Sequence, residues 1–220
     1  MKISIVCTHA DHPVFPHLQA WQRAQRPQHD VELVHGPAEL SGGDLLFLIS
    51  CHQRIDATTR SRYRHSLVIH ASDLPAGRGW SPLVWQILEG RQEIAVTLLE
   101  AAEQIDSGAI WHKTWLHFAG HELVDEIHAA LFAAELELMD FAVAHCDTLT
   151  PQPQPDQGIS HYRRRTPEDS RLDPAQSLAA LFDQLRIADP QHYPAFFELR
   201  GHRYQLFLQK ADSDDPELPR

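Results

Sequence analysis

The sequence predicts an α/β fold built on a mainly parallel sheet. Three observations carry this expectation. Apolar, β-branched runs recur through the first 120 residues, and helix-forming segments separate most of them. Two runs, "DLLFLIS" (44–50) and "SLVIHAS" (66–72), stay apolar between polar borders, as central strands buried on both faces do.

Taken in order, "KISIVC" (2–7) reads as a first strand, 14–25 as a helix and "DVELVH" (30–35) as a second strand. The two buried runs follow, joined by the polar connector "DATTRSRYR" (56–64), which has some helical character. Ser81 and Pro82 form an N-cap and N1 pair for a helix that stops at Gly90, a C′ position. "EIAVTLLEA" (93–101) and "AIWHKTWLHF" (109–118) flank the turn "EQIDSG", so the order is β-α-β-β-α-β-α-β-β with antiparallel additions.

Residues 121–146 have apolar positions at three- and four-residue intervals and no Gly or Pro, which predicts a long amphipathic helix whose Leu, Phe and Met residues belong to the core. "TLTPQPQPDQG" (148–158) reads as an extended linker closing a main domain of residues 1–147. A small α+β subdomain, 159–211, is expected to hold a helix from Asp173 to Ala188 with Pro174 at N1, then two strands turning at Gly201 and His202. The acidic tail 212–220 reads as disordered.

A net charge of -11 over 220 residues disfavours nonspecific binding to nucleic acid or anionic membrane, both of which need counterion-releasing Lys and Arg. No apolar run approaches the roughly 18 to 20 residues that span a bilayer. The N-terminus lacks the marks of a signal peptide, and three widely spaced cysteines make neither a disulfide framework nor a zinc site. The cytoplasm is the expected compartment. One local exception to the acidity is "HYRRRTPEDSR", whose arginines can hold a phosphorylated or carboxylated ligand.

Chemistry-bearing motifs are few. "AGRGWSP" offers a single GxG, and neither a P-loop nor a GxSxG elbow is present. With sixteen histidines in the chain, no single one stands out by rarity, and His112, His117, His121 and His128 form no metal-ligand pattern, so they read as surface or satisfied core residues and no metal is expected. His70 differs by position: it ends a buried strand, where α/β sheets place their ligand sites. It reads either as catalytic or as a histidine satisfied by loop backbone. Asp106 reads either as a turn-capping residue or as the carboxylate that fixes the tautomer of a catalytic imidazole.

Together these segments resemble a known family. "HASDLPAGRGWSPLVWQIL" resembles the HxSxLPxxxGxxP segment of the N10-formyltetrahydrofolate-dependent formyltransferases, and "VTLLEAAEQIDSGAI" is similar to their VTxHxMxxxxDxGxI segment. The resemblance covers roughly residues 1–147. "HYRRRTPEDSRLDP" and "LRIADPQHYPAFFEL" are similar to downstream segments of nucleotide-sugar N-formyltransferases, with the nearest likeness to those of pseudaminic-acid-type pathways.

This resemblance implies a Rossmann-like formyltransferase fold, N10-formyltetrahydrofolate as cofactor, and formyl transfer to an amine, here the 4-amino group of a nucleotide-linked deoxysugar, UDP-linked by preference. It implies His70 and Asp106 as catalytic residues. The folate is expected against Ile49, Ser50, Ser72, Asp73, Leu74, Pro75, Leu99 and Ile105. The sugar nucleotide is expected against Trp80, Arg163, Arg164, Arg165, Arg186, Tyr193 and Phe196. No nucleic acid or membrane partner is implied, and a homodimer is compatible with it.

One departure stands out. The family carries an asparagine two residues before its histidine, which holds the formyl oxygen, whereas this chain has Val68. Either Ser50, Cys51 or His52 supplies the missing donor, or the chain is a weakly active folate- or nucleotide-binding homologue. Formyl transfer to methionyl-tRNA is a further reading, disfavoured by the acidic charge and by the small region after residue 147.

Overall fold

The computed structural model describes residues 1–211, so the acidic segment 212–220 lies outside the described residues. Its centre is a six-stranded sheet. In chain order the elements are β1 (Lys2–Val6), α1 (Phe15–Gln25), β2 (Asp30–Val34), β3 (Gly43–Leu48), α2 (Ala57–Arg60), β4 (Tyr63–His70), β5 (Arg78–Gly79) and α3 (Pro82–Leu88). Then come β6 (Glu93–Glu100), β7 (Ile110–His117), α4 (Val124–His145), β8 (His161–Tyr162), α5 (Leu178–Arg186), β9 (Ala195–Leu199) and β10 (His202–Leu206).

The sheet order is β2-β1-β3-β4-β6-β7. Strands β2, β1, β3 and β4 pair in parallel, while β6 runs antiparallel to β4 and β7 antiparallel to β6. This is the expected α/β arrangement, with its antiparallel additions on one edge.

Period-two alternation sends successive side chains to opposite faces. Ile3, Ile5, Leu45, Phe47 and Leu67 pack on one face with Leu18 and Trp21 of α1 and Leu138 and Met139 of α4. Val6, Val34, Leu46, Ile55 and Tyr63 form the second layer on the other face. A hydrogen bond from Trp21 Nε1 to Asp140 Oδ1 at 2.8 Å ties α1 to α4.

Several boundaries depart from the sequence-based expectation, each for a local reason. Strand β4 starts at Tyr63, inside the expected polar connector, because the Tyr63 hydroxyl is anchored under the sheet on Ser4 Oγ at 2.8 Å and accepts the Gly42 N–H. Ser81 precedes α3 but does not cap it: its backbone is left-handed, with φ 48°, and its side chain makes no capping bond. Helix α4 starts at Val124 because Glu122 and Glu126 take the N–H groups of Ala119, Gly120 and Leu123.

The expected helix from Asp173 begins only at Leu178, capped by Ser177 Oγ, since Asp173 closes a separate turn on Ala175 and Gln176. The last hairpin turns at Arg200 and Gly201, both with positive φ, so His202 already pairs with Leu199.

The proline-rich segment 148–158 is extended, but it packs on the main domain. Gln152 and Ile110 exchange backbone hydrogen bonds, and Gln154 Nε2 donates to the carbonyls of Asp106 and Gly108 at 2.8 Å. It is a strap across the turn that carries Asp106.

At that turn a Cβ on Gly108 would sit 1.8 Å from the Glu100 carbonyl oxygen, well inside van der Waals contact. Only glycine lets the chain return this closely beside β6. Replacing Gly108 with alanine is expected to destabilise the chain by about 1 to 3 kcal/mol, as overpacking does. Urea denaturation monitored by fluorescence measures the loss, and an unchanged midpoint would contradict the close approach.

Candidate active site

A cavity of about 540 Å³ opens at the carboxyl ends of β3 and β4, within the range of small-ligand sites. It straddles the edge of the sheet. One wall carries Leu48, Ile55, Val68 and Leu99 together with the 101–106 turn, and the other carries Leu131, Phe132 and Glu135 of α4 with His12. His70, the last residue of β4, lines the cavity at that edge.

His70 is buried, and its Nε2 lies 2.8 Å from the Gly77 carbonyl oxygen. A carbonyl only accepts, so Nε2 carries the hydrogen, and the neutral ring presents its lone pair at Nδ1. Asp106 Oδ2 lies 3.6 Å from that Nδ1. The same oxygen accepts the Gly79 N–H at 2.8 Å, and the Asp106 carbonyl is held by Gln154. Asp106 adopts a left-handed backbone, φ 55°, a conformation that Asp tolerates better than most residues. The structure therefore brings the two residues implied as catalytic into one buried pair.

The folate residues implied by the sequence separate into two groups. Ser50, Leu99 and Ile105 line the cavity. Ser72, Asp73, Leu74, Pro75 and Ile49 are not among its lining residues. Ile49 is buried in the core. The 72–75 loop is anchored on β6 and β7: Thr97 Oγ1 donates to the Ser72 carbonyl at 2.6 Å, and Lys113 Nζ binds the Leu74 carbonyl at 2.8 Å and pairs with Asp73.

On the sugar side, Trp80 lines the mouth of the cavity, and the Arg164 guanidinium lies 4.9 Å over its ring. The structure does not bring the others to the cavity. Arg163 pairs with Asp169 and lies over Trp85, and the pairing holds the Asp169 carboxyl well below its ordinary range. Arg165 is buried over the Tyr193 ring, Arg186 is buried against Asp183 and the Glu122 carbonyl, and Phe196 is covered by Arg203. Their charges and rings are taken up by neighbouring side chains and backbone.

Three cavity residues escape a reading of the sequence. Glu135 is 8 % exposed, its Oε2 has no hydrogen-bond partner among the described residues, and burial pushes its carboxyl up to about 8. His12 accepts the Val14 N–H at Nδ1, and burial depresses it to about 4. His128, expected to be a surface or satisfied core residue, lines the cavity, and burial lowers it. The available signal was an acid on the apolar stripe of α4, among Ile127, Phe132, Leu138 and Met139.

Comparison with known proteins now places the chain. The formyl transferase family description matches residues 4–143. A methionyl-tRNA formyltransferase of Ruegeria pomeroyi is 26% identical over 92% of this chain and 68% of its own length; one from Thiobacillus denitrificans is 35% identical over 56% and 40%. The chain thus spans about half or less of the length of several curated relatives it matches.

Among solved structures, a methionyl-tRNA formyltransferase from Clostridium thermocellum superposes with TM-score 0.81 at 20% identity, over 98% of this chain and 95% of that one. A 4-N formyltransferase from Francisella tularensis gives 0.75 at 18%, over 96% and 98%. The HypX protein of Aquifex aeolicus, solved with tetrahydrofolic acid, gives 0.77 at 21%, over 94% and 37%.

The fold and the matched family thus define a formyltransferase: the chain belongs to the formyl transferase family. The cavity fits the N10-formyltetrahydrofolate that the sequence resemblance implies, in size and in its apolar wall of Leu48, Val68 and Leu99 beside the polar turn 101–106.

Glu135 has a consequence for stability. Its carboxyl ionises near 4.5 in a free chain and near 8 when folded, so between these values the folded state holds the extra proton and stability falls as pH rises. His12, ordinarily near 6.5 and near 4 when folded, works in the opposite sense between those values. Above pH 6.5 the Glu135 effect therefore stands unopposed by His12. Between pH 6.5 and 8 the wild type is expected to lose up to about 1.4 kcal/mol per pH unit relative to Glu135→Gln. Parallel urea titrations check this, and equal slopes would refute a buried neutral carboxyl.

Proposed function

We propose that the chain transfers the formyl group of N10-formyltetrahydrofolate to an amino group, at C4, of a nucleotide-linked amino-deoxysugar of the pseudaminic-acid type. The observation that carries the choice of a small acceptor is the fate of the arginines. Arg163, Arg171 and Arg186 are paired with Asp169, Glu168, Glu198 and Asp183, and Arg165 is buried, so Arg164 alone of the cluster is exposed without a carboxylate partner among the described residues, too little for a polynucleotide backbone. The overall charge of -11 points the same way. The names of the curated relatives favour methionyl-tRNA as a second reading.

The bound cofactor supplies the formyl group. Ser50, Leu99 and Ile105 would hold it, with Val68 part of the same wall, while the 72–75 loop keeps β4 and His70 in place. Trp80 and Arg164 at the mouth would take the base and diphosphate of a UDP-linked sugar by stacking and charge. An amine attacks only when neutral. His70 Nδ1 is the base available to take its proton, Asp106 stabilises the imidazolium that results, and that proton can pass to the departing N10 as the formyl–N10 bond breaks and tetrahydrofolate leaves.

Val68 cannot donate a hydrogen bond to the formyl oxygen. Leu48 pairs with Val68, and Ser50 lies two residues beyond Leu48, as His70 lies two beyond Val68. The Ser50 hydroxyl, which lines the cavity, is therefore the donor that stands nearest in register to His70.

Incubating the protein with N10-formyltetrahydrofolate and a panel of UDP-, dTDP- and GDP-linked amino sugars, with mass spectrometry of the products, tests this reading. Formylation of at least one member is expected, and none at all would turn the choice to methionyl-tRNA or a binding homologue. His70→Asn is expected to abolish turnover. Ser50→Ala is expected to cut kcat by about 100- to 1000-fold, the effect of losing one oxyanion donor, and an unchanged kcat would remove Ser50 from that role.

A further inference from the structure

A buried acid without a partner is costly, and native proteins keep few of them. Glu135 is such an acid, and it lines the cavity with Oε2 unbonded among the described residues. Its neighbours along the α4 wall, Leu131 and Phe132, are apolar, and the two imidazoles on this side, His12 and His128, are both shifted towards the neutral form by burial. The arginines lining the cavity, Arg54 and Arg60, are both paired with Glu103. The α4 wall therefore has hydrogen-bonding capacity without positive charge, which suits neither a phosphate nor a carboxylate.

We propose that Glu135, on the cavity wall that also carries His12 and His128, forms the acceptor-recognition subsite of the enzyme and receives a hydroxyl group of the amino sugar. A protonated carboxyl both donates and accepts, and so does a hydroxyl, so one such group satisfies it in both senses. The two faces of the sheet divide the work. Val68 and Leu99 lie on the face opposite Leu67 and Leu98, which pack with α4, so the donor wall and the Glu135 wall approach the His70 edge from different sides. A donor on the first wall and an acceptor on the second meet at His70.

This inference rests on the amino-sugar reading, and the experiment separates the two. Glu135→Met and Glu135→Gln are compared with the wild type, using the panel member that the wild type formylates and 5-formyltetrahydrofolate as a non-reacting donor analogue. Glu135→Met is expected to raise KM for the amino sugar about tenfold or more, the effect of an unmatched buried hydrogen bond, with kcat changed less than about threefold. Its Kd for 5-formyltetrahydrofolate by calorimetry is expected to stay the same and its Tm to rise, since the desolvated acid is gone.

Glu135→Gln, which still donates and accepts, should stay within about threefold of the wild type in KM. An unchanged acceptor KM in Glu135→Met overturns this assignment alone, and a weakened Kd for 5-formyltetrahydrofolate assigns Glu135 to the donor instead. A wild type that formylates no panel member overturns the sugar reading and this inference with it. If Glu135→Met does not fold, Glu135→Leu replaces it with the same expected outcomes.

Discussion

The hydrogen bond from Gly79 N–H to Asp106 Oδ2, at 2.8 Å, is the contact on which the site depends. It joins two segments that are far apart in the chain and hold no common strand. Gly79 ends the short strand β5 that follows His70, and Asp106 lies in the turn between β6 and β7. With that bond made, the same carboxylate oxygen stands 3.6 Å from His70 Nδ1. The imidazole is fixed at its other nitrogen by the Gly77 carbonyl, so both ends of the ring are defined by one loop and one turn.

Everything around this contact serves to keep it. Gly79 has φ 101°, and a Cβ there would lie 2.4 Å from the Tyr162 carbonyl oxygen, which leaves room only for glycine where β5 meets β8. The strap 148–158 holds the far side of the Asp106 turn through Gln154, and Arg78 holds Gln154 Oε1 at 2.7 Å. The chain after α4 thus contributes to the site by clamping it, through β8 and the strap. Its arginines are used for this packing, which is why most of them are absent from the cavity.

The strands were legible because their signals are local, and the His70–Asp106 pair only through two segments that resemble family motifs. A continuous apolar run needs no partner to be recognised, and a motif such as "HASDLPAGRG" keeps its spacing whatever it packs against. The polar residues were less legible. Ser72 and Asp73 sit within two or three residues of His70, yet the chain turns after β4 and carries them away from the cavity, where Thr97 holds the Ser72 carbonyl and Lys113 pairs with Asp73. Arg163 and Arg165 are two apart, yet one is exposed on Trp85 and the other is buried on Tyr193. Glu135 was masked by the regular pattern of α4, in which a single acid among apolar positions does not disturb the period.

By itself the sequence determined the α/β class, the succession of strands and helices along the chain and the buried strand that ends at His70, because each follows from hydrophobic period; Asp106 was reached only through the resemblance of its segment to a family motif. The tertiary structure decided which charges are spent on packing, that the proline-rich segment is a strap, and that Glu135 lines the cavity with Oε2 unbonded among the described residues. Those outcomes depend on which surfaces meet, and a side chain's partner is chosen by the whole fold while its strand or helix is chosen by its neighbours in the chain.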